Sequence, residues 1–304
     1  MGKIRAWAAD QLGAEVAFVC DPDSSLAEET AAKYPGCQAR SSVDDLIWEG
    51  LSAIFVCTPP HLHTDTILNS IENRIPFLVE KPIGVSRQEI LPILDALKKT
   101  PVVNAVGYMN RYRESVQTVR KASEGAKILG GSANWVCGMY GVPWWSQKQM
   151  SGGPVNEQST HVVDLARYLC GEVVTVQAIG EQRGEKWNEI DNVAFQMKFA
   201  SGALFSVFYS CTAQEKMIGL RIFTDEKELR LDGWDFRLPE ATSPANAVDK
   251  NQIFLTETKA FFNACKDTGD NGIVSDFADA AKTQTVVDAI QHSLLSGNSE
   301  SVEY

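Results

Sequence analysis

Four short apolar runs, Glu15 to Cys20, Ser52 to Cys57, Pro76 to Glu80 and Val102 to Tyr108, recur through the first 110 residues with helical patterns between them. Each is nearly continuous in apolar residues, as strands buried on both faces of a parallel sheet are. The intervening helical stretches are Ser24 to Lys33, opened by Ser24-Ser25, then His63 to Asn73, then Ser86 to Lys98, where Glu89 follows Ser86 by three residues as in a capping box. Strand, helix, strand, repeated, predicts a doubly wound α/β domain.

Beyond residue 115 strand-like runs follow one another directly: Ile128 to Cys137, Val173 to Gln182, Asn192 to Phe199, Ala203 to Cys211, Met217 to Thr224 and Glu228 to Asp232. Turn signals such as Ala200-Ser201-Gly202 join them. Strands without helices between them pair antiparallel, and the helical stretches Glu157 to Cys170, Ile253 to Lys266 and Asp276 to Leu295 are expected to cover one face of that sheet. Arg237 to Lys250 reads as a loop. The chain of 304 residues therefore divides into an α/β domain over residues 1–115 and an α+β domain over residues 116–304.

Composition narrows the partners. Lys and Arg total 28 against 39 Asp and Glu, a net charge of −11 that repels phosphate backbones and anionic lipid. Nucleic acid and membrane surfaces are thus disfavoured, and a small-molecule substrate remains. The seven cysteines are odd in number and never spaced as CxxC, and only four histidines accompany them, so neither a disulfide framework nor a zinc cluster is indicated. The apolar runs are far shorter than a membrane span, and no apolar core of a signal peptide opens the sequence. A cytoplasmic protein is expected.

Several motifs close the strands. Gly2 opens a helical run, and Asp21 follows it by 19 residues at the end of the first apolar run. A dinucleotide-binding unit has that spacing, with its last glycine at the helix start and an acidic residue about 20 positions on for the adenosine ribose. Asp21-Pro22-Asp23-Ser24 also suits a plain turn and helix cap. Thr58-Pro59-Pro60-His61-Leu62-His63 ends the second run, where rigid backbone can hold Thr58, Pro59 and His63 against a ligand, although a proline-rich turn needs no ligand. Glu80-Lys81-Pro82 ends the third; Lys81 fixed there can polarise a substrate oxygen or be a solvated strand end. If Glu157 begins a helix, His161 lies one turn on along the same face and Asp164 on nearly the same stripe. A carboxylate beside histidine raises its basicity, which suits acid/base work. A satisfied helix histidine is the plainer alternative.

In this order the motifs resemble the glucose-fructose oxidoreductase, inositol dehydrogenase and rhizopine catabolism family, Gfo/Idh/MocA. Met1-Gly2 is similar to the end of its GxGxMG. CDPD at 20–23, TPPHLH at 58–63, EKP at 80–82, GYMNRY at 107–112, PWW at 143–145, SGG at 151–153 and EQSTHVVDLARYLCGE at 157–172 complete the resemblance. It implies a Rossmann domain binding NAD or NADP, with Gly2, Asp21, Thr58, Pro59, His63, Glu80, Lys81 and Arg111 at the cofactor. Asp21, with no Arg or Lys from Asp21 to Glu29, favours NAD over NADP.

The resemblance also implies catalysis by Lys81 and His161, with Glu157 where the family commonly has Asp, and hydride transfer to or from a sugar, polyol or related hydroxy or carbonyl compound. Trp144 and Trp145, with Glu157 and His161, are expected to line the substrate, and the second-domain sheet to form a homodimer or homotetramer. The first strand and the first two glycines of the dinucleotide unit precede Met1 in the family pattern. Weak dinucleotide binding is therefore expected, with a first domain that melts before the second and a non-catalytic sensor on the same scaffold as the alternative reading.

Overall fold

The computed structural model describes residues 1–184, 189–239, 251–266 and 272–304. Its first helix, α1 (Gly2–Gln11), is followed by β1 (Phe18–Cys20), α2 (Ser24–Ala31) and β2 (Gln38–Arg40), and the two strands pair parallel. Next come β3 (Ile54–Val56), α3 (His63–Glu72), β4 (Phe77–Val79), α4 (Arg87–Lys99) and β5 (Asn104–Val106), which form a separate parallel sheet in the order β3-β4-β5. No strand bridges β1 and β3 among the described residues, so β1 is half-buried on all three residues where full burial is expected. The predicted strands are thus present but shorter, β1 at its start only and β3, β4 and β5 at both ends. β2 is an addition, because Gln38-Ala39-Arg40 has no apolar run to betray it.

Capping differs in detail from expectation. Asp23, not Ser24, caps α2, accepting from the Ser25 and Leu26 amides. Glu89 reaches back to the amide of Val85 and not to Ser86. Both carboxylates still satisfy amide donors at a helix start, where the helix has none of its own to offer.

The second domain begins with α5 (Glu114–Ser123) and β6 (Ile128–Gly138), then α6 (Lys148–Ser151) and α7 (Thr160–Cys170). Its sheet is completed by β7 (Val173–Glu181), β8 (Asn192–Phe199), β9 (Leu204–Ser210), β10 (Thr212–Thr224), β11 (Glu228–Asp232) and β12 (Glu300–Ser301), in the order β11-β10-β6-β9-β8-β7-β12. Every pairing is antiparallel except β6 with β9. The strands alternate buried and exposed, as in β9, where Phe205, Val207 and Tyr209 face the core while Leu204, Ser206 and Phe208 face out. Of the loop expected from Arg237 to Lys250, residues 240–250 lie outside the described residues.

The helices divide otherwise than expected. α7 and the later part of α9 (Phe277–Ser296) cover the inner face of the large sheet, with Val162, Leu165, Ala166, Val286, Val287 and Ile290 in its core. α8 (Gln252–Cys265) instead returns to the first domain: Phe261 packs with Leu78 and Ala105, opposite the face covered by α3 and α4. Phe277, Ala280 and Ala281, at the start of α9, join the core that holds Phe77 and Val79. One helix therefore belongs to both cores and fixes the carboxyl ends of β3 to β5 against α7. Each fully buried aliphatic or Phe side chain contributes about 1.5–3 kcal/mol.

Candidate functional site

Lys81 leaves the end of β4 and crosses to the second domain. Its ammonium donates to the Glu157 carbonyl at 2.9 Å and to Glu157 Oε2 at 3.1 Å. Glu157 lies in a π-helical turn, Val155–Ser159, that precedes α7. The wide turn changes the side-chain spacing expected of a regular helix, so Glu157 reaches Lys81 while His161 starts α7 beside it. Burial pushes the Glu157 carboxyl up, against the pull of Lys81. Among the described residues Lys81 is the side chain that holds it.

His161 is buried and stacks flat on Trp135 of β6, with ring centroids 4.9 Å apart and planes 17° from parallel. Its Nδ1 has no hydrogen-bond partner among the described residues. Burial holds the imidazole well below its ordinary range, and the nearby charges of Lys81 and Arg113 push it further down. His161 is therefore a neutral base near neutral pH. Asp164, expected on the same stripe, does not touch it: its carboxylate takes two bonds from Arg111, at 2.9 and 2.6 Å, and one from Thr283.

The loops around this cleft are pinned across the domain junction. Asn156 donates to Gly84 O and Ser151 O and accepts from Gln284 of α9. Gly152 has φ +75°, and an added Cβ would lie 2.4 Å from Asn156 Nδ2 and 2.7 Å from Val85 O, so the Ser151-Gly152-Gly153 turn needs a glycine there. His61 contacts Met150 O at 3.2 Å. Beneath the cleft, Tyr209 and Cys137 both donate to Gln158 Oε1.

Residues 2–108 match an oxidoreductase family with an NAD-binding Rossmann fold, and residues 127–230 match the GFO/IDH/MocA C-terminal domain. The chain belongs to the Gfo/Idh/MocA family. It is similar to scyllo-inositol 2-dehydrogenase (NAD(+)) of Bacillus subtilis, 29% identical over 211 residues that make up 66% of this chain and 61% of that enzyme. Levoglucosan dehydrogenase of Pseudarthrobacter phenanthrenivorans is 28% identical over 174 residues, 53% of this chain and 44% of the other. The matches thus span less than two thirds of these curated relatives. In fold, the chain resembles the WlbA dehydrogenase from Bordetella pertussis in complex with NADH and UDP-GlcNAcA, with a TM-score of 0.86 at 21% identity over 100% of this chain and 95% of that one. A levoglucosan dehydrogenase in complex with NADH and levoglucosan gives 0.86 at 21% identity, covering 100% and 96%.

Within this Gfo/Idh/MocA chain several residues expected at the cofactor are committed elsewhere. Glu80 accepts from Arg5 of α1 at 2.7 Å, and Arg5 also pairs with Glu257 of α8 at 2.6 Å. Arg111 spends its guanidinium on Asp164, Asp279 and the Val274 carbonyl. His63 is buried, with Nε2 2.8 Å from the Thr58 carbonyl, and burial lowers it to about 4; it is a neutral clamp on the strand end. Trp145 is wholly buried beside Tyr140, which leaves no surface for a substrate, and Trp144 is half-buried against the same core. A Cβ on Gly2 would meet only Cys57 Cβ, at 3.8 Å, so its surroundings do not demand glycine.

What stays available for a dinucleotide lies at the carboxyl ends of β1 and β3. Asp21 is half-buried after β1 and uses one carboxylate oxygen on the Asp23 amide. Thr58 Oγ1 is buried after β3 with no partner among the described residues, next to the backbone bend at Pro59. The remaining Asp21 carboxylate oxygen suits a nucleotide's ribose hydroxyls, and the Thr58 hydroxyl can bond a further polar group of the nucleotide. Arg40, brought beside Asp21 by the β1–β2 pairing, donates to Gln38 and to the Ala39 and Asp45 carbonyls and makes no ion pair with Asp21 among the described residues, which leaves the Asp21 carboxylate to face the ribose. That favours an unphosphorylated ribose.

Proposed function

We propose that this chain is an NAD-dependent oxidoreductase that moves a hydride between nicotinamide and a CH–OH carbon of a sugar, polyol or related compound. The observation that carries the reading is the meeting of Lys81, Glu157 and neutral His161 at the junction of the two domains. In the oxidation direction His161 takes the hydroxyl proton, which a neutral imidazole can do and an imidazolium cannot. Lys81 stabilises the alkoxide that develops, from a position set by Glu157. Asp21 and Thr58 would hold the cofactor, which when bound accepts or supplies the hydride. Reduction uses the same groups in reverse.

The test is nicotinamide absorbance across a panel of sugars and polyols. Lys81→Met and His161→Asn should each lower turnover about a hundredfold or more while leaving NAD affinity nearly intact. Binding of NAD and a sugar without turnover by the parent protein would favour a sensor instead. Clearly tighter binding of NADP than of NAD would overturn the cofactor assignment.

The outer face of the large sheet supports a homodimer. Leu204 and Phe208 of β9, Ile179 of β7 and Met217 of β10 are all large, apolar and exposed. Ile179, Ala194 and Phe208 lie side by side across three adjacent strands, a contiguous row such as a monomer rarely leaves in water.

A further inference from the structure

The buried arginines of this chain divide sharply. Arg5, Arg111 and Arg167 each pair with two carboxylates. Arg113, half-buried at the junction before α5, forms no ion pair among the described residues. Its Nε donates to the side chain of buried Asn110 at 2.7 Å, its amide bonds the Asn110 carbonyl, and its own carbonyl accepts from Gln117. The side chain is therefore aimed. Its two terminal nitrogens donate to no described protein atom and, unlike those of Arg5, are not sealed from water. The carboxylate that most affects it, Asp235, is bonded to Arg237 at 3.0 Å.

Arg113 also lies within electrostatic reach of the proposed reaction centre. Its charge acts on His161 together with that of Lys81, and the Trp234–Phe236 segment that flanks it packs on Trp135, the ring under His161. Among the described residues Glu157 pairs with Lys81, and no carboxylate pairs with Arg113. An oriented guanidinium whose terminal nitrogens reach water and pair with no described carboxylate is open to an anionic ligand. A planar two-oxygen anion matches that fork.

Resting on the dehydrogenase reading, we propose that Arg113 anchors an anionic oxygen group of the substrate, a carboxylate or a phosphoryl, so that the compound oxidised or reduced is an acidic sugar derivative and not a neutral polyol. The test titrates the NAD-saturated protein by calorimetry at low ionic strength with D-glucuronate, D-galacturonate, their methyl esters, glucose 6-phosphate and glucose. The uronates distinguish a carboxylate source from the phosphate. At least one anion should bind about 10- to 100-fold more tightly than its neutral counterpart. Arg113→Gln should erase that difference and Arg113→Lys keep part of it.

Equal binding of anions and neutral partners, a preference that survives Arg113→Gln, or an effect of that variant on NAD affinity alone would each overturn the proposal. Turnover is read separately in the same samples. Arg113-dependent anion binding without turnover supports the anchor while defeating the dehydrogenase reading. Turnover of neutral compounds with no anion preference does the opposite.

Discussion

Histidine as a general base usually has its far nitrogen held by a carboxylate or carbonyl, and among the described residues His161 Nδ1 has neither. Trp135 supplies orientation instead, by a flat stack that also keeps water off the ring. Trp135→Leu should therefore lower kcat about tenfold with little change in KM, and move the acid limb of kcat/KM up toward the ordinary histidine range near 6.5. An unchanged limb and unchanged kcat would remove Trp135 from any positioning role. His63 gives a prediction for stability. Its folded pKa of about 4 lies below the unfolded value of 6.5, so its contribution is complete above about pH 6.5 and is lost as pH falls toward 4, by up to about 3 kcal/mol. Denaturant melts at about pH 7.5 and about pH 4.5 should differ less in His63→Gln than in the parent. Lys81, Glu157 and His161 were legible in the sequence because short motifs at strand and helix starts carry them. Trp135 and Arg113 were not, because their relation to His161 runs through sheet pairing and domain packing that no local pattern encodes.

Helix α1 is held by an ion-pair triad rather than by apolar surface: its buried residues are Arg5, Ala8 and Ala9, and Arg5 sits between Glu80 and Glu257. Removing a shared cation strands two buried carboxylates, so Arg5→Met should destabilise the protein by about 3–5 kcal/mol. Amide exchange should show α1 and α8 opening first. Protection of both helices equal to the parent's would show that the triad does not join them. Burial also raises Glu257 to about 7, above its ordinary 4.5; the folded state holds this proton more tightly, so Glu257 takes stability away as pH rises from 4.5 through 7. Glu257→Gln should flatten that part of the pH profile, which runs opposite in sign to the part due to His63. At this scale the amphipathic periods showed where α3, α4 and α7 to α9 lie within a few residues. They did not show which sheet α8 covers, because an apolar stripe specifies a buried face and not its partner. The π-turn at Val155–Ser159 was equally hidden, since an inserted residue alters spacing without altering composition.

The molecule as a whole is organised around surfaces that the sequence patterned clearly. Consecutive strand-like runs predicted a sheet with helices on one face, and α7 and α9 occupy that face of β7, β8 and β9. The opposite face breaks the rule that outward positions are polar, at Ile179, Leu204 and Phe208. Apolar residues there cost solubility, and a second copy of the same sheet packed against them is the simplest way to remove them from water. Phe208 is near the middle of the face: its neighbours in register are Ala194 of β8 and Asn134 of β6. A lysine there would put like charges opposite each other across a two-fold axis while leaving the core side of β9 untouched. Phe208→Lys should therefore shift the protein to monomers in sedimentation velocity, with a melting temperature close to that of the parent when both are extrapolated to low concentration. Lys81, Glu157 and His161 all lie on the core side of the sheet, so turnover per chain should persist in those monomers. A Phe208→Lys protein that sediments as the parent does, at every concentration, would show that the exposed row is not where the chains meet.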